Sequence, residues 1–397
     1  MITVAEASEI LSHHNRDFGI EEVSLTQSTG YILREEIYAD RDMPPFDRVS
    51  MDGIAIRYDE FEKGTRNFFI AGMAAAGSPQ KTLIDPTHCF EIMTGSITPL
   101  ESDTIIPYEW LTIENGTATV LKDNVKKSQN IHALGIDRKK GDLLIPTGRL
   151  ISPSEIGVMA SIGKTKVTVS RLPKVMIIST GNELIPIDET PLPHQVRMSN
   201  VHQLQSCFQQ WHIDAERSHL QDDYDAITSA LESYISAYDI ILISGGISEG
   251  KFDFIPTALE YLGVQKHFYK VKQRPGKPFW FGSHPSGCNV FALPGNPVSS
   301  FLCLIRYIRP WLNLCLQKTS SPPQFAKLSA DVSFTPNLAY FMTVRLQQND
   351  NCEVIAIPAP GHGSGDYANL VDADAFIELP ADSEAFKKGE VFQYFRF

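Results

Sequence analysis

A chain of 397 residues is too long for one ordinary core, which predicts two to four domains. Its 43% hydrophobic and 21% charged content is that of a globular protein, and no run approaches membrane-spanning length. A formal net charge of -12 argues against a nucleic-acid-binding surface as the main business, so an anionic ligand has to be held by a local basic pocket. The six cysteines, Cys89, Cys207, Cys288, Cys303, Cys315 and Cys352, contain no C-x-x-C pair, which speaks against a zinc site and for reduced thiols. The start, Met1-Ile-Thr-Val-Ala-Glu-Ala7, lacks a basic leader and an apolar core, so a cytoplasmic protein with no membrane contact is expected.

In chain order, residues 4–15 and 26–38 carry apolar positions at helical spacing and predict a small helical piece. Met43-Pro-Pro-Phe-Asp-Arg-Val-Ser-Met-Asp52 then leads from a rigid Pro-Pro entry to an Asp52-Gly53 turn and a strand; turn chemistry alone would explain Asp52. From Phe68 to Val120, short β-type runs separated by Gly, Pro and Asn predict an all-β module. A helix is expected from Ser154 to Ile162, with Ser152-Pro-Ser-Glu155 as its start and Gly157 as a flaw.

After Pro173 the pattern becomes α/β. Strands are expected at Lys174–Ile178, Tyr238–Ile243 and Asn289–Leu293, and helices at Ser199–Trp211, Asp223–Ala237, Phe254–Leu262 and Val298–Leu314. Each strand runs into a polar loop with Gly: Ser179-Thr-Gly-Asn-Glu183, Ser244-Gly-Gly-Ile-Ser-Glu-Gly-Lys-Phe-Asp253 and Pro294-Gly-Asn-Pro297. In an open parallel sheet such loops gather at the carboxyl edge, where ligands bind, and their glycines let backbone N–H groups approach a phosphate. Between these elements, Lys270, Lys272, Arg274 and Lys277 place four cations within eight residues of a loop containing Pro275-Gly-Lys-Pro278; in an acidic chain this suggests an anion site, against the plainer reading of a solvated turn. Ser320-Ser-Pro-Pro323 reads as a linker, and the β-like runs after it predict a small barrel or sandwich.

Taken together, Pro45-Phe-Asp47 with Met51-Asp-Gly53, Ala76-Gly77, Met93-Thr-Gly95, Gly135 with Asp137, Ser179-Thr-Gly181 with Glu183-Leu184, Ser199-Asn200, Ser244-Gly-Gly246, Pro275-Gly-Lys-Pro278, Leu293-Pro-Gly-Asn-Pro297 and Gly363-Ser-Gly365 closely resemble the molybdopterin molybdenumtransferases, the family that includes the larger domain of gephyrin. The resemblance runs from about residue 5 to the C-terminus. It implies a multidomain fold of α/β and all-β modules: an elongated helical domain (residues 1–42 and 132–170), a β domain (43–131), an open, mostly parallel α/β molybdopterin-binding domain (171–318) and a β-barrel-like C-terminal domain (319–397).

The resemblance also implies a homodimer, a supplying molybdopterin adenylyltransferase as partner, and a reaction in which molybdate enters adenylylated molybdopterin and AMP is released with help from Mg²⁺ or a similar cation. Cleaving a phosphoanhydride calls for a hard cation held by carboxylates and waters. The family's acidic positions fall on Asp52, Asp137, Glu183, Asp222 and Asp253, with Asp222 and Asp253 expected to hold the cation and Glu183 to orient water or substrate. A structural role remains for two of them, since Asp222 and Asp253 can each cap the helix that follows. Asp52 and Asp137 are expected to face the α/β domain of a partner chain.

Substrate is expected to meet Thr180, Gly181, Ser244, Gly245, Gly246, Ser248, Lys270, Arg274, Lys277, Pro278, Pro294, Gly295, Asn296, Pro297, Arg345 and Ser364. Among them Arg274, Lys277, Arg345, Ser248 and Ser364 would receive molybdate. The chain departs from the family pattern at His132, Ile136, Ile54, Glu249 and Arg274. Two other functions compete: an adenylyltransferase built on the α/β segment alone, and a catalytically silent scaffold.

Overall fold

The computed structural model describes residues 1–247, 254–359, 361, 363 and 365–397. Contacts divide the chain into two compact units, one of residues 1–34, 148–153 and 166–397, the other of residues 35–147 and 154–165.

The first unit is built on a six-stranded sheet in the order Ala215–Leu220, Val175–Thr180, Ile240–Ser244, Asn289–Leu293, Trp280–Ser283, Gln265–Tyr269. The first four strands run parallel, and the last two are antiparallel additions at one side. Val175–Thr180, Ile240–Ser244 and Asn289–Leu293 are buried at every position, which is why they read as continuous apolar runs with no polar face. Their side chains alternate between two cores: Ile177, Leu242, Phe291 and Leu293 pack on one face with the helices Asn200–Gln210 and Pro297–Cys303, and Met176, Ile178, Ile241, Ile243 and Val290 on the other with Tyr224–Ala237 and Ile255–Tyr261. Truncating a fully buried residue such as Leu242 to Ala costs roughly 2–5 kcal/mol.

The helix Val4–His13 is closed by a capping box in which Thr3 and Glu6 bond reciprocally, and its Val4, Ala7 and Leu11 join the larger of these cores. Residues 26–38 are not the expected second helix. A 3-10 turn, Leu25–Gln27, ends with Ser28 as its C-cap, and Gly30 beyond it has a φ of +89° that no helix accepts. Ile32 and Leu33 are then buried in isolated bridges to Leu150 and Val169. Strand pairing with distant residues outweighs the local spacing, so helices are few across residues 1–42 and 132–170.

The chain after the linker supplies five strands of a second six-stranded sheet around Met342, Val344, Ala356, Ile377, Leu379 and Phe386. It closes because Ala375–Leu379, at the end of the order, pairs back onto Ala339–Gln348, which leaves few open edges. Gln273–Arg274, from the cationic loop, adds to this sheet in parallel with Ala339 and Tyr340. The expected long helix near the C-terminal end of the α/β part is Pro297–Cys303, a π-helical turn at Leu304–Ile308, and Arg309–Cys315.

The second unit holds a mixed sheet in the order Thr104–Pro107, Gly53–Ile56, His88–Ile92, Asn67–Ala74, Thr117–Val120, Leu111–Glu114, with Ile54, Ile56, Phe61, Phe68 and Ile106 in its core. Pro153–Ser161 is the helix expected near residue 154. Among the described residues no helix is long and apolar enough to cross a membrane.

Candidate active site

The chain leaves Val175–Thr180 for the outer strand Ala215–Leu220 and returns on the opposite side as Ile240–Ser244, so the strand order reverses between the first and third of these. Ligands bind outside the carboxyl ends of strands at such a point. A cleft of about 840 Å³ lies there, lined by Thr180, Gly181, Glu183, Asn200, Asp222, Ser244, Gly245, Gly246, Pro278 and Pro294 to Pro297 among others. The predicted Gly loops therefore come together. Gly245 and Gly246 have φ of +104° and +71°, and a Cβ on either would lie within 3.0 Å of Thr180 or Ile255 atoms, so no other residue fits without displacement.

Asn200, at the start of its helix, ties two of the loops: its Nδ2 donates to Ser244 Oγ at 2.8 Å and to Gly295 O at 2.7 Å. Its Oδ1 and the hydroxyl Oγ1 of Thr180 are buried without a hydrogen-bond partner among the described residues. A buried hydroxyl, which can donate to an anion or accept, and a buried amide oxygen, which accepts, on residues lining a polar cleft are groups a ligand would satisfy. Site reasoning from sequence left Asn200 unassigned, although Ser199-Asn200 was one of the recognisable motifs; Tyr367, which reaches the same cleft from the C-terminal module with Gly365, carries no sequence signal at all.

Asp222 and Glu183 sit at the rim. Asp222 and Asn182 clasp the two loops, with Asn182 N donating to Asp222 Oδ2 at 3.4 Å and Asp222 N to Asn182 Oδ1 at 3.1 Å. The cap of the next helix is Asp223, which accepts from Ala226 N at 2.8 Å, so Asp222 is relieved of that role. Among the described residues no three His, Cys, Asp or Glu side chains are grouped to hold a metal ion. Asp253 and Ser248, and Ser364 further on, lie outside the described residues. The two carboxylates lining the cleft, Asp222 and Glu183, are enough to fit Mg²⁺, which keeps several waters and takes its remaining oxygens from a phosphate.

A second cavity, about 630 Å³, is walled by Arg274, Pro275, Lys277, Phe334, Tyr340 and Thr343, and shares Pro278, Pro294 and Asn296 with the first. It is here that the cationic loop and the C-terminal module meet. Arg345 lines neither cavity; it is exposed, two residues beyond Thr343 on the same strand and face. Lys270, whose carbonyl accepts from Ile2 N at 3.0 Å, also lines neither.

In the second unit, Asp52 accepts from Thr94 N at 2.6 Å and Thr94 Oγ1 at 2.8 Å, and these bonds hold its carboxyl below the usual range. Gly53 after it is required, since a Cβ would fall 1.9 Å from Ile106 O. His132 Nε2 lies 3.0 Å from both oxygens of Asp137, so the residue that breaks the family pattern is itself the partner of the acid.

Residues 2–163 match the MoeA N-terminal region (domain I and II), residues 176–314 the "probable molybdopterin binding domain", and residues 326–397 the MoeA C-terminal region (domain IV). The doubly wound domain, its switch-point cleft and the flanking modules thus define a transferase of molybdenum cofactor biosynthesis. A molybdopterin molybdenumtransferase of Synechocystis is 37% identical over 398 residues covering all of both chains, and one of Bacillus subtilis is 28% identical, covering 99% of this chain and 93% of the relative. The crystal structure of the molybdopterin biosynthesis moeA protein of Pyrococcus horikoshii superposes with a TM-score of 0.85 at 26% identity over the whole of both chains. The chain belongs to the molybdopterin molybdenumtransferase family.

Proposed function

We propose that this protein inserts molybdate into adenylylated molybdopterin and releases AMP, acting in the cytoplasm as a homodimer supplied by a molybdopterin adenylyltransferase. The observation that carries the reading is the switch-point cleft, lined by glycine loops that let a phosphate come close to the backbone, with Thr180 Oγ1 and Asn200 Oδ1 buried and unpartnered among the described residues.

In this reading the Ser244-Gly245-Gly246 loop, Thr180-Gly181 and Pro294-Gly295-Asn296-Pro297 seat the nucleotide and its phosphates. Asp222, with Asp253, holds Mg²⁺, which neutralises charge on the phosphoanhydride. Glu183 orients water or substrate at the rim. Lys277 supplies charge to molybdate from a loop kept stiff by Pro275 and Pro278, and Arg345, Ser248 and Ser364 add donors, because a desolvated dianion needs directed hydrogen bonds. Asp52 and Asp137 complete the site of the other subunit.

Incubation with adenylylated molybdopterin, molybdate and Mg²⁺ should give AMP and metal-loaded cofactor in equal amounts. Formation of adenylylated product from ATP and molybdopterin without molybdate would favour the adenylyltransferase reading instead. For the dimer, an Asp52→Ala chain mixed with an Asp222→Asn chain should regain activity, since one composite site of the hybrid then carries neither change. No recovery in proven heterodimers would place the site within one chain.

A further inference from the structure

The two cavities of the first unit share Pro278, Pro294 and Asn296 in their walls, and the second adds about 630 Å³ to the 840 Å³ of the first. Molybdate displaces only a few waters, at about 30 Å³ each, so most of the 630 Å³ of the second cavity belongs to something larger. Its wall has a definite chemistry. Phe334 and Tyr340 stack with centroids 4.3 Å apart and planes 8° from parallel. Arg274 is the register partner of Tyr340, and its guanidinium lies 6.0 Å from the Phe334 centroid. Among the described residues no carboxylate pairs with Arg274 or with Lys277.

A stacked aromatic pair beside an arginine that no described carboxylate neutralises favours a flat, polar-edged heterocycle: the ring faces stack, and the guanidinium donates in its own plane to oxygen or nitrogen acceptors on the ring edge. The geometry points to the second cavity as the seat of the substrate's pterin ring, stacked against the Phe334–Tyr340 pair with Arg274 along its polar edge. This rests on the proposed reaction, because it is the adenylylated substrate that carries a nucleotide at one end and a pterin at the other. With the phosphates in the first cavity and the pterin in the second, the dithiolene between them falls at the shared wall, near Pro278. Lys277, next in the chain, is then the cation beside the reacting sulfurs, and Arg274, expected from the sequence at molybdate, is instead a specificity residue for the ring.

The test measures two affinities in parallel on the full-length protein, for adenylylated molybdopterin and for AMP. Tyr340→Leu should weaken the first roughly tenfold, the scale of losing one base–aromatic stack, and leave the second within about twofold. Tyr340→Phe should keep wild-type affinity, since the stack survives without the hydroxyl. Arg274→Ala, at an exposed position that threatens no core, should weaken the first by about fivefold. An equal loss of AMP affinity in Tyr340→Leu and Arg274→Ala would put adenine in the second cavity and overturn the assignment, as would unchanged affinity for adenylylated molybdopterin in both. Should the wild-type protein itself not bind adenylylated molybdopterin, the proposed reaction falls first, and the subsite with it.

Discussion

The two cavities are neighbours built by different means. The first is made largely by backbone: strand ends, glycines with left-handed φ, and the Asn200 clasp between Ser244 and Gly295. The second is made by side chains from two modules, brought together when Gln273–Arg274 joins the sheet of the C-terminal barrel. A backbone cradle recognises what phosphates have in common, because N–H groups cannot choose among the molecules that carry them. A side-chain wall distinguishes one substrate from another, and it can vary without disturbing the fold that supports it.

That contrast can be broken at several points, and the largest effect is expected at the cradle's acid. Asp222→Asn should lower Mg²⁺-stimulated AMP release on the order of 100-fold with the melting temperature little changed, because the helix cap belongs to Asp223. Turnover at the wild-type rate under limiting Mg²⁺ would remove Asp222 from the cation site. Next, Asn200→Ala should weaken AMP binding about tenfold and cost roughly 1–3 kcal/mol in denaturant unfolding, since Ser244 Oγ and Gly295 O both lose a donor. If binding survives, the clasp is not what shapes the cleft.

On the side-chain wall the effects should be smaller and confined to one substrate. Lys277→Ala should raise the molybdate concentration for half-maximal rate about tenfold, and Arg345→Ala only a few-fold, because a charge beyond the cavity acts through water. Equal effects would mean that Arg345 reaches the oxyanion directly. Smallest of all, Asp223→Ala should cost about 1 kcal/mol of stability with no change in AMP release, a control that separates the two adjacent aspartates.

The sequence by itself determined the α/β core. Runs such as Ile240–Leu242 and Val290–Leu293, with Gly-containing loops behind them, can be buried on both faces only as central parallel strands, and the loops must then collect at one edge. Gly245 and Gly246 were legible because a left-handed φ is a local need, whereas the Thr180 atoms that a Cβ would strike come from another strand end. What only the tertiary structure decided depends on partners far away in the chain. Residues 26–38 carry helical spacing, yet Ile32 and Leu33 bridge to Leu150 and Val169, because pairing that buries them outweighs a preference worth fractions of a kcal/mol per residue. Asp222 and Asp223 are indistinguishable as letters, and only the strand end and helix start separate a clasp to Asn182 from a cap on Ala226. Tyr340 and Phe334 read as barrel residues until Arg274 is laid beside them across a ladder that joins positions 66 residues apart. Short-range sterics and burial can be read in order along a chain; a wall of side chains exists only once the ladder has formed.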